Sequence, residues 1–191
     1  MIVGMRADPF ESERLLMRAP THDDAPALYE AYRDQRVMRF WSSPPHESVA
    51  DTIAYVTPHV DDQWRQWVIV EKASDRAIGT LAAGERRRGV MEIGYLLAPS
   101  AAGKGYGREA VGTLIDLLFA EGARRVFADT DPDNQRSIAL LMDLGFQREG
   151  LLRAEWHTHI GVRDSVIWGL LRDEWQPQRR ARGQRLRSSR V

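Results

Sequence analysis

The sequence predicts a mixed α+β domain in which four helices flank a central, mostly antiparallel sheet of six to seven strands. Three observations carry that prediction. Apolar residues alternate at period two in short runs and recur at helical spacing in longer ones, in the order strand, two helices, three strands, helix, strand, helix, two strands. Short polar turns separate the three middle strands, as in an antiparallel meander. A single glycine-led helix then joins the last of these to the next strand, and such a crossover makes the two parallel.

Taken in order, Glu13 to Ala19 is a short strand with Leu15 and Met17 on one face. Thr21, with Asp24 three residues on, is placed to cap a helix that sets Leu28, Tyr29 and Tyr32 on one side. Between Val37 and Ser48, Pro44 and Pro45 predict a loop, and its Phe40 and Trp41 either wedge into the core or line a pocket, the core being the plainer reading. Ser48 to Asp62 reads as the second helix, with Pro58 against its far end. Strands follow at Trp67 to Lys72, Ala77 to Ala83 and Met91 to Ala98, then a helix carrying Ala110, Val111, Leu114, Ile115, Leu118 and Phe119 at 3.6 spacing. Arg125 to Thr130 is the next strand, Asn134 opens the last helix, and Gly145 closes it. Phe146 to Arg153 and Val162 to Leu171 complete the sheet, linked by EWHTHIG.

The 191 residues suit one domain, long enough to bury about 70% of its unfolded surface. We divide the chain into a domain over 1–175 and a basic tail over 176–191 that holds six arginines, leaving 21 bases against 27 acids elsewhere. The tail reads as a solvated, disordered end, with a weak RNA or ribosome contact as the alternative. Without cysteine, disulfides, thiolate metal sites and cysteine nucleophiles are excluded. No signal-like segment or long apolar run is visible, so the expectation is a cytoplasmic protein with no membrane partner.

The stretch with most chemistry is Ala102-Gly103-Lys104-Gly105-Tyr106-Gly107-Arg108, between a strand and a helix. A helix N-terminus offers unpaired N–H groups and partial positive charge, and glycines let an anion approach the backbone closely. Lys104 and Arg108 add mobile cations. The Walker loop fails here because Gly105 follows Lys104, and the dinucleotide fingerprint fails because Arg108 takes the third glycine's place. A plain glycine connector remains the alternative.

That stretch resembles the acetyl-coenzyme A loop of the GNAT acetyltransferases, whose pattern is Gln/Arg-x-x-Gly-x-Gly/Ala; Gly105 and Gly107 match, and Ala102 replaces the Gln or Arg. The run NQRSIALLMDLGFQREG from Asn134 to Gly150 is similar to the signature of the RimJ/RimL-like, ribosomal-protein branch. The resemblance spans about 160 residues and implies the GNAT fold, with the sheet splayed where the predicted fourth and fifth strands part and acetyl-CoA in the gap. It implies that the loop residues Ala102 to Arg108 and Asn134 bind the cofactor. Leu96 and Leu97 stand at the positions whose backbone N–H groups meet the oxyanion, and Ser137 at that of the acid. Helix capping is the other reading of Asn134 and Ser137.

The reaction so implied is direct: a neutral amine attacks the thioester, an oxyanion forms, and the thiolate leaves. The amine needs a base, and Glu92, Glu155, His157 and His159 are candidates, Glu155 lying out of register with the branch's base. His157 and His159 lack further ligands at metal spacing, so no metal is expected. Asp129, Asp131 and Asp133 either attract a cationic substrate or serve turns and caps. The expected activity is N-acetylation of a protein N-terminal amine. The alternatives are a small amine (aminoglycoside, polyamine or amino-acid-like toxin) and a non-catalytic CoA-binding module on RNA or ribosome. Phe40, Trp41 and Trp156 decide how open the cleft is; monomer and homodimer are both compatible.

Overall fold

A computed structural model describes residues 7–57 and 64–176. The sheet has eight strands among these residues: β1 (Phe10–Glu11), β2 (Leu15–Arg18), β3 (Trp64–Glu71), β4 (Arg76–Arg87), β5 (Val90–Leu97), β6 (Arg125–Thr130), β7 (Gln147–Thr158) and β8 (Gly161–Leu171). Their spatial order is β1-β2-β3-β4-β5-β6-β8-β7, and every neighbouring pair is antiparallel except β5 and β6. Five helices are described: α1 (Ala25–Tyr32), α2 (Gln35–Met38), α3 (Val49–Val56), α4 (Tyr106–Ala120) and α5 (Gln135–Asp143).

The counts exceed the sequence prediction by one or two strands and one helix, for local reasons. β1 is two residues long, too short to show periodicity, and exists because it pairs with Leu16 and Met17. α2 is one turn, started by the Asp34 carboxylate, which accepts the N–H groups of Arg36 at 2.8 Å and Val37 at 3.3 Å. The Thr21 cap forms as read, the Asp24 carboxylate accepting the Thr21 N–H at 2.8 Å, although a 3₁₀ turn at His22–Asp24 precedes α1. α3 reaches Val56 and caps at Thr57; the far end predicted for it, and the basic tail from 177 onward, fall outside the described residues. The link EWHTHIG is mostly strand, closed by a tight turn in which the Thr158 hydroxyl donates to Gly161 O at 2.9 Å.

Each sheet face carries its own apolar layer. Leu15, Met17, Trp67, Ile69, Leu81 and Ile93 pack against Val111, Leu114, Ile115 and Leu118 of α4 and Leu141 of α5. On the opposite face Val68, Val70 and Leu96 pack against Leu28 and Tyr32 of α1, Met38 of α2 and Val56 of α3. Alternation along a strand produces this division, since consecutive side chains point to opposite faces.

The crossover puts β6 beside β5, but only Val90, Met91 and Glu92 find partners there, opposite Arg125, Val126 and Phe127. Beyond Glu92 the two strands part. The gap joins the two faces of the sheet, and the site is built around it.

Candidate active site

A cleft of about 600 Å³ runs through this gap. Its lining divides by sheet face. On the α4/α5 face it meets Leu97, Ala102, Asn134, Ser137 and Leu140; on the α1–α3 face it meets Phe40, Trp41, Tyr55, Trp64 and Glu92, with Asp129 and Trp156 beside the end of β6.

The glycine loop starts α4 as its spacing requires. Gly103 and Gly105 have φ of +76° and +80°, conformations that favour glycine, and Gly105 caps the helix. Its carbonyl accepts from Glu109 N–H at 3.1 Å, so the N–H groups of Tyr106, Gly107 and Arg108 precede the first helical bond and are the donors that an anion would find. A Cβ on Gly107 would stand 3.4 Å from Leu97 and 3.5 Å from Leu140, on the cleft side. Behind the loop, Arg14 donates to Lys104 O at 3.0 Å and to Glu109 at 2.7 Å, while Glu109 also accepts the Ser12 hydroxyl at 2.7 Å. The loop is thus braced from its outer side.

Side chains around the loop are less available than the sequence suggested. Arg108, read as a mobile cation, bonds Asp143 of α5 at 2.5 Å, because the first turn of α4 lies beside the last turn of α5. The Tyr106 ring is buried with its hydroxyl on Glu71 and Arg14 4.5 Å above it, so only its backbone is left to an anion at the helix start; of the loop residues Ala102 to Arg108, Ala102 alone lines the cleft itself. Lys104 is exposed.

β5 presents backbone to the gap. Ala98 N–H bonds Ile78 O at 2.8 Å, and antiparallel pairing alternates, so Leu96 faces its partner Thr80 on β4 while Tyr95 and Leu97 turn their N–H groups toward the gap. The contact of Leu96 O with the Cα region of Gly79 agrees. Of the two predicted oxyanion positions, Leu97 therefore faces the gap and Leu96 belongs to the ladder.

On α5, Asn134 is the cap: its Oδ1 accepts Ser137 N–H at 3.2 Å. The Ser137 hydroxyl shares a hydrogen bond with Tyr95 Oη at 2.6 Å, either atom donating. Burial pushes the Tyr95 phenol up to about 12, so it keeps its proton.

The base candidates separate clearly. Glu92 lines the cleft but is held by Arg86 at 2.5 Å, with the guanidinium 4.4 Å over Trp64. Glu155 lies exposed on β7, and its side chain is not part of the cleft wall; the extra residues that β7 carries opposite β8 put it there. His157 and His159 are exposed, and no cluster of three metal-binding side chains occurs among the described residues. Asp131, by contrast, is tied to Arg163 at 2.7 Å, and the same arginine reaches Asp133 at 2.6 Å.

Asp129 is different. It makes no ion pair with a described residue and accepts the indole N–H of Trp156 at 2.8 Å. Burial, with the nearby Glu92 and Glu155 carboxylates adding to it, lifts its carboxyl above the ordinary range, against the pull of the Trp156 N–H. Sequence reading noticed Asp129 only as one of three acids in DTDPD, and Tyr95 not at all. Only the pairing of β5 with β6 and the fold of the β7–β8 hairpin reveal them. Phe40 and Trp41 line the pocket, and Trp41, which donates to Tyr55 Oη at 2.7 Å, also packs against the core layer that holds Met38, so both readings of this loop hold for it.

The fold that holds this site is shared with known proteins. Residues 14–147 match the model of the acetyltransferase (GNAT) domain. This chain belongs to the GNAT acetyltransferases. It is 33% identical over 171 residues to the uncharacterized N-acetyltransferase p20 of Bacillus licheniformis, covering 86% of this chain and 96% of p20. In fold it is similar to a putative ribosomal-protein-serine acetyltransferase from Vibrio cholerae (TM-score 0.74, 21% identity, 87% of this chain and 99% of that one). It is similar also to the spermidine N-acetyltransferase from Vibrio cholerae in complex with CoA and spermine (TM-score 0.72, 22% identity, 85% and 98%).

As a GNAT member the chain is an N-acetyltransferase that uses acetyl-CoA. The residues present fit that group: N–H groups ahead of the first helical bond of α4, open space over a Cβ position at Gly103, and the gap beside Leu97. Among the described residues no helix is long and apolar enough to cross a membrane.

Proposed function

We propose that the enzyme acetylates a small primary amine directly from acetyl-CoA, with Asp129 as the base. The observation that carries this reading is the placement of Asp129. It is a cleft carboxylate at the β5/β6 gap that combines partial burial, no cationic partner among the described residues and a raised protonation range.

Acetyl-CoA supplies the activated acetyl thioester. The backbone N–H groups of Tyr106, Gly107 and Arg108 hold its phosphates, with Lys104 as a nearby cation and Asn134 and Leu140 beside the gap. The acceptor enters from the other sheet face as an ammonium ion and must lose a proton to become nucleophilic. Asp129 takes that proton, and its raised range makes it a stronger base than an ordinary carboxylate. The N–H groups of Leu97 and Tyr95 are what this chain offers to negative charge on an acyl oxygen, and removing one such donor costs about 10²-fold or more. Ser137 is the proton donor for a leaving thiolate, replenished through Tyr95 at 2.6 Å.

Two acceptor classes were expected, and the lining favours the small amine over a protein N-terminus. Phe40, Trp41, Tyr55, Trp64 and Trp156 line the acceptor end, and the Asp129 carboxylate stands with them, Glu92 being already paired with Arg86. Aromatic faces and carboxylates together suit an ammonium ion. The test is thiol release with saturating acetyl-CoA against diamines, polyamines and amino sugars on one side and N-terminal peptides on the other. Release with small amines at least tenfold faster in kcat/KM supports the proposal; release with peptides alone returns the acceptor to the N-terminal class.

A further inference from the structure

We infer that Trp156 is a positioning residue for acyl transfer: its indole N–H fixes Asp129 in the orientation and charge state in which it takes the acceptor's proton. This rests on the reading of Asp129 as base.

The hairpin is built to bring this side chain to that acid. Between the pairs Leu152↔Ser165 and Trp156↔Arg163, β7 advances four residues while β8 advances two, so β7 arches. At the arch Ala154 takes φ of +54°, a strained value for a residue with a Cβ, and its N–H is held by Asp164 at 2.8 Å. Trp156 follows two residues on. Its ring stays 44% exposed, too open to be a core side chain, yet its N–H is committed to a half-buried carboxylate. A tryptophan that spends its donor this way serves the acid more than the packing.

The groups around Asp129 give that single hydrogen bond leverage. Glu92 of β5, though paired with Arg86, and the exposed Glu155 of β7 both oppose a further negative charge at Asp129. The indole N–H of Trp156 on β7 favours the carboxylate, while the buried Ser165 hydroxyl of β8 makes no hydrogen bond to it. Asp131, at the turn after β6, is satisfied by Arg163, and Asp164 of β8 by the Ala154 N–H. Since Asp129 has no cationic partner among the described residues, losing the indole donor removes a main support of its ionised form.

Replacing Trp156 with Phe keeps a ring and deletes the donor. The pH dependence of kcat/KM for a small amine acceptor is measured for the wild type, Trp156→Phe and Asp129→Asn, with acetyl-CoA affinity and Tm as controls on folding. In Trp156→Phe the acid limb is expected to move up by about one pH unit, so that activity on the acid side falls about tenfold and recovers to within about threefold on the alkaline plateau. Asp129→Asn is expected to lose the limb altogether. A uniform loss at every pH in Trp156→Phe, or a limb that does not move, overturns the inference while leaving the base in place. A limb that survives in Asp129→Asn overturns the base itself.

Discussion

The two arms of the cleft are built from different materials. The donor arm uses backbone: helix-start N–H groups, glycines at positive φ and a strand whose ladder partner has moved away. The acceptor arm uses side chains from five separated segments, around Trp41, Tyr55, Trp64, Asp129 and Trp156. Backbone recognition accepts a given anion wherever the local geometry recurs, so it can be held constant across a family. Side chains gathered from distant segments can be exchanged one at a time, and acceptor choice resides there.

The contrast can be broken most severely at Asp129. Asp129→Asn preserves an oxygen for the Trp156 N–H but cannot take a proton, and turnover is expected to fall about 10²- to 10⁴-fold with acetyl-CoA affinity within about twofold, measured by thiol release and calorimetry. Stability should move the other way. The folded protein holds the Asp129 proton to higher pH than the unfolded chain does, so this group costs stability once pH rises above its unfolded pKa, and the full cost is present above its folded pKa. Asp129→Asn should therefore raise Tm at neutral pH and lose that advantage as pH falls through the carboxylate range, read by thermal melts at both pH values.

Next in size is the donor arm. Gly105→Ala forces a Cβ into φ of +80°, with Arg14 3.6 Å from the new atom. The strain of about 1–2 kcal/mol falls on the loop, and acetyl-CoA affinity is expected to drop about tenfold in calorimetry, with the acid limb unmoved. Ser137→Ala is milder. The Asn134 cap uses the Ser137 backbone N–H, so α5 should persist, while kcat falls about tenfold and acetyl-CoA affinity holds. Smallest is Glu92→Gln: with its charge already met by Arg86, kcat/KM should change less than about threefold, and the acid limb should shift down because one carboxylate no longer opposes ionisation of Asp129.

The same contrast explains what the sequence disclosed. Gly103, Gly105 and the 3.6 spacing from Ala110 to Phe119 are local features with local causes, so the loop, α4 and the meander were legible. The parting of β5 from β6 came from the family resemblance, and so did the expectation that Ser137 is the acid, which the kcat of Ser137→Ala tests. Which acid faces the gap was not legible, because it depends on where β6 lies against β5 and how the β7–β8 hairpin arches. Glu155 illustrates the limit: as a residue in a supposed loop it looked able to reach the amine, but as part of β7 it points to solvent. Arg108 shows the same thing in the loop, since its partner Asp143 lies 35 positions away and one helix over.

The most direct test of a base on the acceptor face is the pH profile of thiol release by Asp129→Asn at saturating acetyl-CoA and amine. The structure predicts a rate at least about 10²-fold below the wild type at neutral pH and no acid limb. A near wild-type rate that still falls off on the acid side would contradict it, and would place proton removal on a group other than Asp129.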